Sequence, residues 1–251
     1  ASSGLFVILL VAIYYLYGVS ATSKLDELVY TAPSESSVLT TPHEYMVSTI
    51  DPEGITMFPG ILLNPKYWDE PIWAGIDPLP SWELPSGFKM VEADKFDSDV
   101  IKLGKAINIS IPSIGLSSEV KELSIVDLES SRTYETPKNT IGHIPETGNP
   151  GELASGWFFG HLESPIRGEG NVFKNLPKLT NFLREGKQVF IILDSIDGSF
   201  LYRVHKTNVV HKSELIIEIN KDSSISLVSC VPKLVYDHRL IVEAKLVGIK
   251  K

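Results

Sequence analysis

Ser226-Leu227-Val228-Ser229-Cys230 and, nine residues after the cysteine, Arg239-Leu240-Ile241-Val242-Glu243-Ala244-Lys245-Leu246-Val247 are the stretches from which the architecture is read. Ile225, Leu227 and Val228 make the first run apolar enough for a buried strand, and Pro232 forbids a regular ladder just beyond it. The second run is a strand that opens on an arginine. If the two pair as neighbours across the intervening turn, Cys230 and Arg239 come to the same edge of one sheet. Cys230 is the only cysteine among 251 residues. A lone cysteine is more often a small buried hydrophobe than a nucleophile, but a thiol at a strand end, with a cation entering beside it, is placed for chemistry. It becomes a candidate nucleophile if a histidine converges on it.

Six histidines compete for that role. The apolar run Ala154-Ser155-Gly156-Trp157-Phe158-Phe159-Gly160 stops at His161, and the segment from Glu163 to Asn171 is polar and glycine-bearing. His161 is thus expected at a strand end facing a loop, as Cys230 is. His143 also follows a glycine, but it lies among Gly142, Pro145, Gly148 and Pro150 and reads as a loop residue at the rim of a groove. His205 and His211, in and after the strand Ser199 to Lys206, and His238, beside Arg239, read as surface groups.

The rest of the domain reads as β-structure. Ala106 to Ile111 alternates with period two, and a longer β-type stretch runs from Glu119 through Leu128 before a polar loop to about Asn139. Thr147 to Gly151 is a dense turn signal. Leu176, Leu179, Phe182 and Leu183 stand at helical spacing over Asn175 to Glu185, with Asn175 to cap and Gly186 to close. Lys187 to Asp194 is a buried strand that Asp197-Gly198 turns into the antiparallel strand Ser199 to Lys206. Seven or so strands, one short helix and antiparallel connections predict an all-β barrel over residues 106–251.

The net charge of -8 and a pI near 5.3 argue against nucleic acid as a partner, since phosphate neutralisation needs clustered lysine and arginine. One cysteine excludes an intrachain disulfide. Gly4 to Val19 carries no charge; at about 1.5 Å per residue it is slightly short of a ~30 Å hydrocarbon span unless its flanks contribute. Tyr14, Tyr15 and Tyr17 suit an interfacial girdle. Residues 1–23 are therefore read as a membrane anchor, ahead of a cleavable signal or a core helix. Residues 24–105 are interrupted by Pro42, Pro52, Pro59, Pro65, Pro71, Pro78, Pro80 and Pro85, yet carry Tyr67, Trp68, Trp73, Trp82 and Phe88. They are expected to form an extended arm that docks its aromatics, either as a lid at Trp68–Trp73 or as cover for an apolar face. No Cys or His cluster has metal-ligand spacing, and Glu214, Glu218 and Asp222 read as solvated acids. No cofactor is implied.

Leu227-Val228-Ser229-Cys230 followed by Arg239-Leu240-Ile241-Val242 resembles the signature of the sortases, cysteine transpeptidases of the bacterial cell surface. Their usual Thr-Leu-X-Thr-Cys appears here with serines, Ser226 and Ser229, which keep both hydroxyls. The turn Asn149-Pro150-Gly151-Glu152, a hydrophobic strand and then Gly160-His161 resemble the same family's approach to its catalytic imidazole. The resemblance covers about Ala106 to Gly248. It implies a sortase-like antiparallel β-barrel with one or two short helices, anchored by a single membrane pass with the catalytic domain outside the cytoplasm. Cys230, His161 and Arg239 would be catalytic, and Val228, Ser229, Val231 and the region around His143 would line the groove. The implied reaction cleaves a Leu-Pro-X-Thr-Gly-like sorting signal of a surface protein through a thioester. The acyl group then passes to an amine of a peptidoglycan precursor or a pilin lysine. A hydrolase of the same chemistry, and a surface-binding module with Cys230 in the core, are the competing readings.

Overall fold

The computed structural model describes residues 2–32, 84–91, 103–128, 131–134, 138–164 and 168–251. The expected lid at Trp68–Trp73, with Tyr67 and Trp82, lies outside them. The chain divides into two units, one of Ala1–Thr31 with Leu84–Lys251 and one of Ala32–Glu83. Every described helix and strand belongs to the first.

Helix α1, Ser2–Thr22, is apolar on every side, and its large apolar side chains from Leu5 to Val19 are exposed. A helix without a polar face needs an apolar surround, and its length and composition suffice to cross a bilayer; it is a single-pass membrane anchor. A 3-10 turn at Leu25–Leu28 leads into strand β1, Tyr30–Thr31. Then come β2 (Lys89–Met90), β3 (Asn108–Ile111), β4 (Leu116–Glu122), β5 (Ile125–Leu128), β6 (Ser131–Tyr134), β7 (Ile141–His143) and β8 (Ser155–Phe159). After the short helix α2 (Lys178–Arg184) follow β9 (Phe190–Ser195), β10 (Gly198–His211), β11 (Ser224–Val231) and β12 (His238–Lys250).

The sheet runs β1-β10-β9-β3-β4-β7-β8-β11-β12-β2, and β10 also pairs with β12. That closes eight strands, β3, β4 and β7 to β12, into a barrel without open edges. Register shifts at Leu201/Tyr202 and Val204/Lys206 let the long β10–β12 ribbon coil around it. The barrel is mixed rather than wholly antiparallel, because β4–β7 and β8–β11 pair parallel. Parallel neighbours need a long crossover, and residues 123–140 and 160–223 supply one each. The β5–β6 hairpin sits in the first of these; β5 lies within the β-type stretch expected to reach Leu128, and β6 forms where the sequence suggested a polar loop.

The barrel interior holds Ile109, Ile111, Ile141, Phe158, Leu193, Leu227, Leu240 and Val242, all fully buried. Each contributes about 1.5–3 kcal/mol of burial. A smaller cluster of Leu123, Ile144, Trp157, Val228 and Ile241 covers the other face of β8, β11 and β12. Apolar packing on both faces is why Leu227-Val228 reads as a continuous run.

Two boundaries differ from expectation. The barrel domain does not begin at 106: Leu25 is in the core, the Thr180 and Thr207 hydroxyls donate to Leu28 O (3.3 and 2.8 Å), and β1 pairs with β10. β2 likewise pairs with β12, and Leu103 N–H donates to Glu152 Oε1 at 2.8 Å. These partners lie far along the chain, so no local pattern announces them. Helix α2 begins three residues later than the capping signal suggests, since the Asn175 amide reaches Ile114 O (3.4 Å) instead of capping. Its end follows the sequence: Gly186 at φ 74 lets Lys187 N–H bond Phe182 O and Gly186 N–H bond Leu183 O.

Candidate active site

Three adjacent strands build the site. The antiparallel register of β11 and β12 sets Cys230 directly opposite Arg239. The parallel register of β8 and β11 pairs Val228 with Phe159, and Gly160 N–H donates to Val228 O at 3.1 Å just past the end of β8. Continuing that register by two residues brings His161 level with Cys230. Thiol and guanidinium are thus direct cross-strand partners, and His161 lies two residues past the end of β8 at the same end of the sheet.

The turn that launches β8 is built on a carboxylate. Glu152 accepts from Asn149 N–H (2.9 Å) and Asn149 Nδ2 (3.0 Å) as well as from Leu103. Gly151 at φ 86 donates its N–H to the buried Tyr202 hydroxyl (2.8 Å), and any Cβ there would lie 2.2 Å from the Phe200 ring. Only glycine fits, and the Asn-Pro-Gly-Glu turn follows from that close approach. Burial pushes the Tyr202 phenol up to about 12, so it stays a neutral acceptor here.

Cys230 is half-buried. Burial pushes its thiol up, and the Arg239 cation opposes that shift. Arg239 Nη1 donates to Tyr236 O (3.0 Å) and His238 O (2.9 Å), which pins the guanidinium at the rim. The rim loop is tied in turn to the segment after His161: Tyr236 donates its hydroxyl to Glu163 (3.1 Å), and Lys233 pairs with the same carboxylate at 2.9 Å. The Lys233 bond holds the Glu163 carboxyl below its ordinary range. Leu234 and Tyr236 sit at φ 66 and 56, a left-handed backbone uncommon for such side chains. Tyr14 and Tyr17 of α1 donate to Leu234 O (3.2 Å) and Lys233 O (3.3 Å), so the membrane anchor touches the loop between Cys230 and Arg239.

His161 Nε2 is buried without a hydrogen-bond partner among the described residues and lies 3.7 Å from Glu169 Oε2, which accepts from the Ser164 hydroxyl (3.1 Å). The sequence reading identified no acid to orient the imidazole. Glu169 escaped notice because it is one charge in a polar, glycine-bearing loop, and only folding turns it inward.

Of the expected groove residues, Val228 alone shares the face of Cys230. Alternation points Ser229 and Val231 into the barrel: Val231 packs in the main core, and Ser229 donates its hydroxyl to Gly160 O at 3.1 Å. His143 is a strand residue, fully buried on β7, with Nε2 3.1 Å from Gly148 O and 3.2 Å from Thr147 Oγ1 and its ring stacked on Phe158 at 4.7 Å. Burial pushes its pKa down. It is a core group and not a rim group, because pairing with β4 and β8 makes a strand where prolines and glycines suggest a loop. On the face of Cys230, Val228 is itself buried, packed with Leu123, Ile144, Trp157 and Ile241 in the smaller apolar cluster. Among the described residues, no group of three or more His, Cys, Asp or Glu side chains could hold a metal ion.

A family model described as the sortase domain matches residues 109–247. No curated protein matches the chain. Solved structures similar to it include sortase C1 of Streptococcus agalactiae, at 23% identity over 55% of this chain and 65% of that one, with a TM-score of 0.43. Sortase C of Clostridium perfringens SM101 matches at 21% identity over 59% of this chain and 72% of that one, TM-score 0.41. A sortase D5 transpeptidase of Clostridium perfringens matches at 29% identity over 58% and 79%, TM-score 0.43. The chain thus spans 65% of the length of the streptococcal enzyme.

Proposed function

Because the chain belongs to the sortase family, we propose that it is a membrane-anchored cysteine transpeptidase with Cys230 as nucleophile, His161 as general acid and base, and Arg239 as the oxyanion donor. The observation that carries this reading is the pairing of Cys230 with Arg239 on β11 and β12, with His161 two residues beyond the end of the neighbouring β8. Cys230, once deprotonated, attacks the carbonyl carbon of the scissile peptide, and the carbonyl oxygen takes up negative charge. Arg239, which stays charged throughout, donates to that oxygen. As the tetrahedral species collapses, the C–N bond breaks, His161 protonates the departing amine, and a thioester remains. An incoming amine then attacks the thioester, gives a proton to His161 and releases the thiolate.

Burial keeps the resting thiol protonated at neutral pH, so the reactive thiolate is a minor species that Arg239 helps to populate. The substrate we propose is a surface protein bearing a Leu-Pro-X-Thr-Gly-like signal, cut between Thr and Gly, and the acceptor is an amine of a peptidoglycan precursor or a pilin lysine. The membrane helix keeps enzyme and substrate at the same outer surface.

The test is mass spectrometry of the full chain in lipid nanodiscs, incubated with sorting-signal peptides with and without amines. A thioester on Cys230 that amine resolves faster than water supports transpeptidation. An adduct without amine preference makes the protein a hydrolase, and no adduct with any peptide removes the enzymatic reading.

A further inference from the structure

The anchor helix reaches the rim of the barrel as well as its core. At its C-terminal end α1 leads into the barrel wall, where Leu25 is buried and Leu28 O accepts from the Thr207 hydroxyl of β10. About two helical turns earlier, Tyr14 and Tyr17, three residues apart and so on one side of the helix, donate to Leu234 O and Lys233 O in the turn between β11 and β12. N-terminal to both contacts, Leu5 to Ile13 are exposed apolar residues. They belong in hydrocarbon, and the first charge after them is Lys24. The outer boundary of the bilayer therefore falls between Ile13 and Lys24, in the stretch to which the β11–β12 turn is fastened.

Leu234 has no place in the barrel. Its side chain is 52% exposed and belongs to neither apolar cluster. Its backbone is left-handed at φ 66, a conformation disfavoured for such a side chain. The charged groups beside it are matched: Lys233 pairs with Glu163 at 2.9 Å, and Asp237 bonds to His238 Nδ1 at 2.7 Å. A bare leucine on a turn whose lysine is paired, and whose carbonyls are held by tyrosines, suits a boundary between water and lipid. Tyrosine is itself the residue of that boundary, with its ring among acyl chains and its hydroxyl among polar groups.

We propose that the turn between β11 and β12 lies in the lipid head-group layer, with the Leu234 side chain inserted among the lipids as a second membrane contact beside the anchor. The lipid surface is the occupant because the turn is continuous with α1, which already enters the bilayer, and Tyr14 and Tyr17 set the two at one depth. Cys230 is four residues from Leu234, so the thiol-bearing end of β11 stands within about 14 Å of the inserted residue. The rim that carries Cys230 and Arg239 is then held against the bilayer surface. The β9–β10 turn lies at the far end of the β10–β12 ribbon, which runs from Ser199 opposite Lys250 to His211 opposite His238. At ~3.3 Å per residue it stands up to about 40 Å from the rim. The contact requires no transpeptidase chemistry and stands apart from the proposed reaction.

The experiment places the full wild-type chain, one copy per nanodisc, among lipids that carry a photoreactive diazirine near the head group, and maps the adducts by mass spectrometry. Adducts are expected at residues 233–235 as well as along α1, and none at Ile196, which is 82% exposed in the β9–β10 turn. Adducts confined to α1 would overturn the proposal. In a Cys230→Ala background, an NBD label on Leu234→Cys should be quenched about threefold more by head-group nitroxide lipids than one on Ile196→Cys, since an inserted side chain lies within about 10 Å of those groups. Quenching of the label at 234 by aqueous iodide alone would leave the turn in water, and protection from both quenchers would put another part of the protein over it; either result overturns the proposal. Acylation of wild-type Cys230 by a sorting-signal peptide, measured in the same nanodiscs, reports on the transpeptidase reading separately.

Discussion

The two faces of β11 divide the work of the protein between alternate residues of one strand. Ile225, Leu227, Ser229 and Val231 turn into the barrel and hold it together, while Ser224, Ser226, Val228 and Cys230 lie on the opposite face, Val228 in the smaller apolar cluster. The boundary is not one of hydrophobicity, since Val228 is as buried as Leu227 and Ser229 is as buried as Val231. Position in the pleat separates scaffold from site. Changes on one face should therefore move stability and changes on the other should move turnover.

The largest effect tests that division most sharply. Cys230→Ala should lower kcat/KM for transpeptidation by about 10⁴-fold or more, with a thermal midpoint close to wild type because a half-buried thiol is exchanged for a methyl group. A large fall in the midpoint would make Cys230 a core residue. Arg239→Gln should cost about 10²–10³ in kcat. It should also slow thiol alkylation at any given pH below the thiol pKa, because the cation that opposes the upward shift is gone. An unchanged alkylation profile would separate Arg239 from the thiol. From the interior face, Leu227→Ala should destabilise by about 2–5 kcal/mol in denaturant unfolding, while enzyme that remains folded keeps its alkylation profile. Glu169→Gln should lower kcat by about tenfold, a fraction of the 10²–10⁴ of general acid-base catalysis, with KM unchanged. An equal rise in KM would place Glu169 in binding instead.

The smallest effect concerns pH. His143 is buried with its pKa below the ordinary 6.5, so the unfolded chain binds the proton more readily than the folded one. Its contribution to stability is present above pH 6.5 and is lost as pH falls from there through the folded pKa, each tenfold weakening of proton binding being worth about 1.4 kcal/mol. Midpoints measured from pH 7.5 to 5 should fall, and His143→Gln should flatten part of that slope. A slope unchanged in the variant would assign the loss to other groups, His205 among them.

Period, charge and punctuation along the chain were enough for the β-class, the anchor helix, the β9–β10 hairpin and the end of α2, while the candidacy of Cys230, Arg239 and above all His161 also drew on the resemblance to the sortases. Each depends on neighbours within a few residues: a run of Val and Ile, an Asp-Gly turn, an uncharged stretch too apolar for water. The tertiary structure decided what depends on partners remote in sequence. It turned two strand pairs parallel, took Leu25 and Lys89 into the barrel unit, buried His143, pointed Ser229 and Val231 inward and brought Glu169 to the imidazole. A one-dimensional pattern gives the alternation of a strand but not which alternate faces the core. That choice is made only when two other strands settle on either side and their summed burial outweighs every other register.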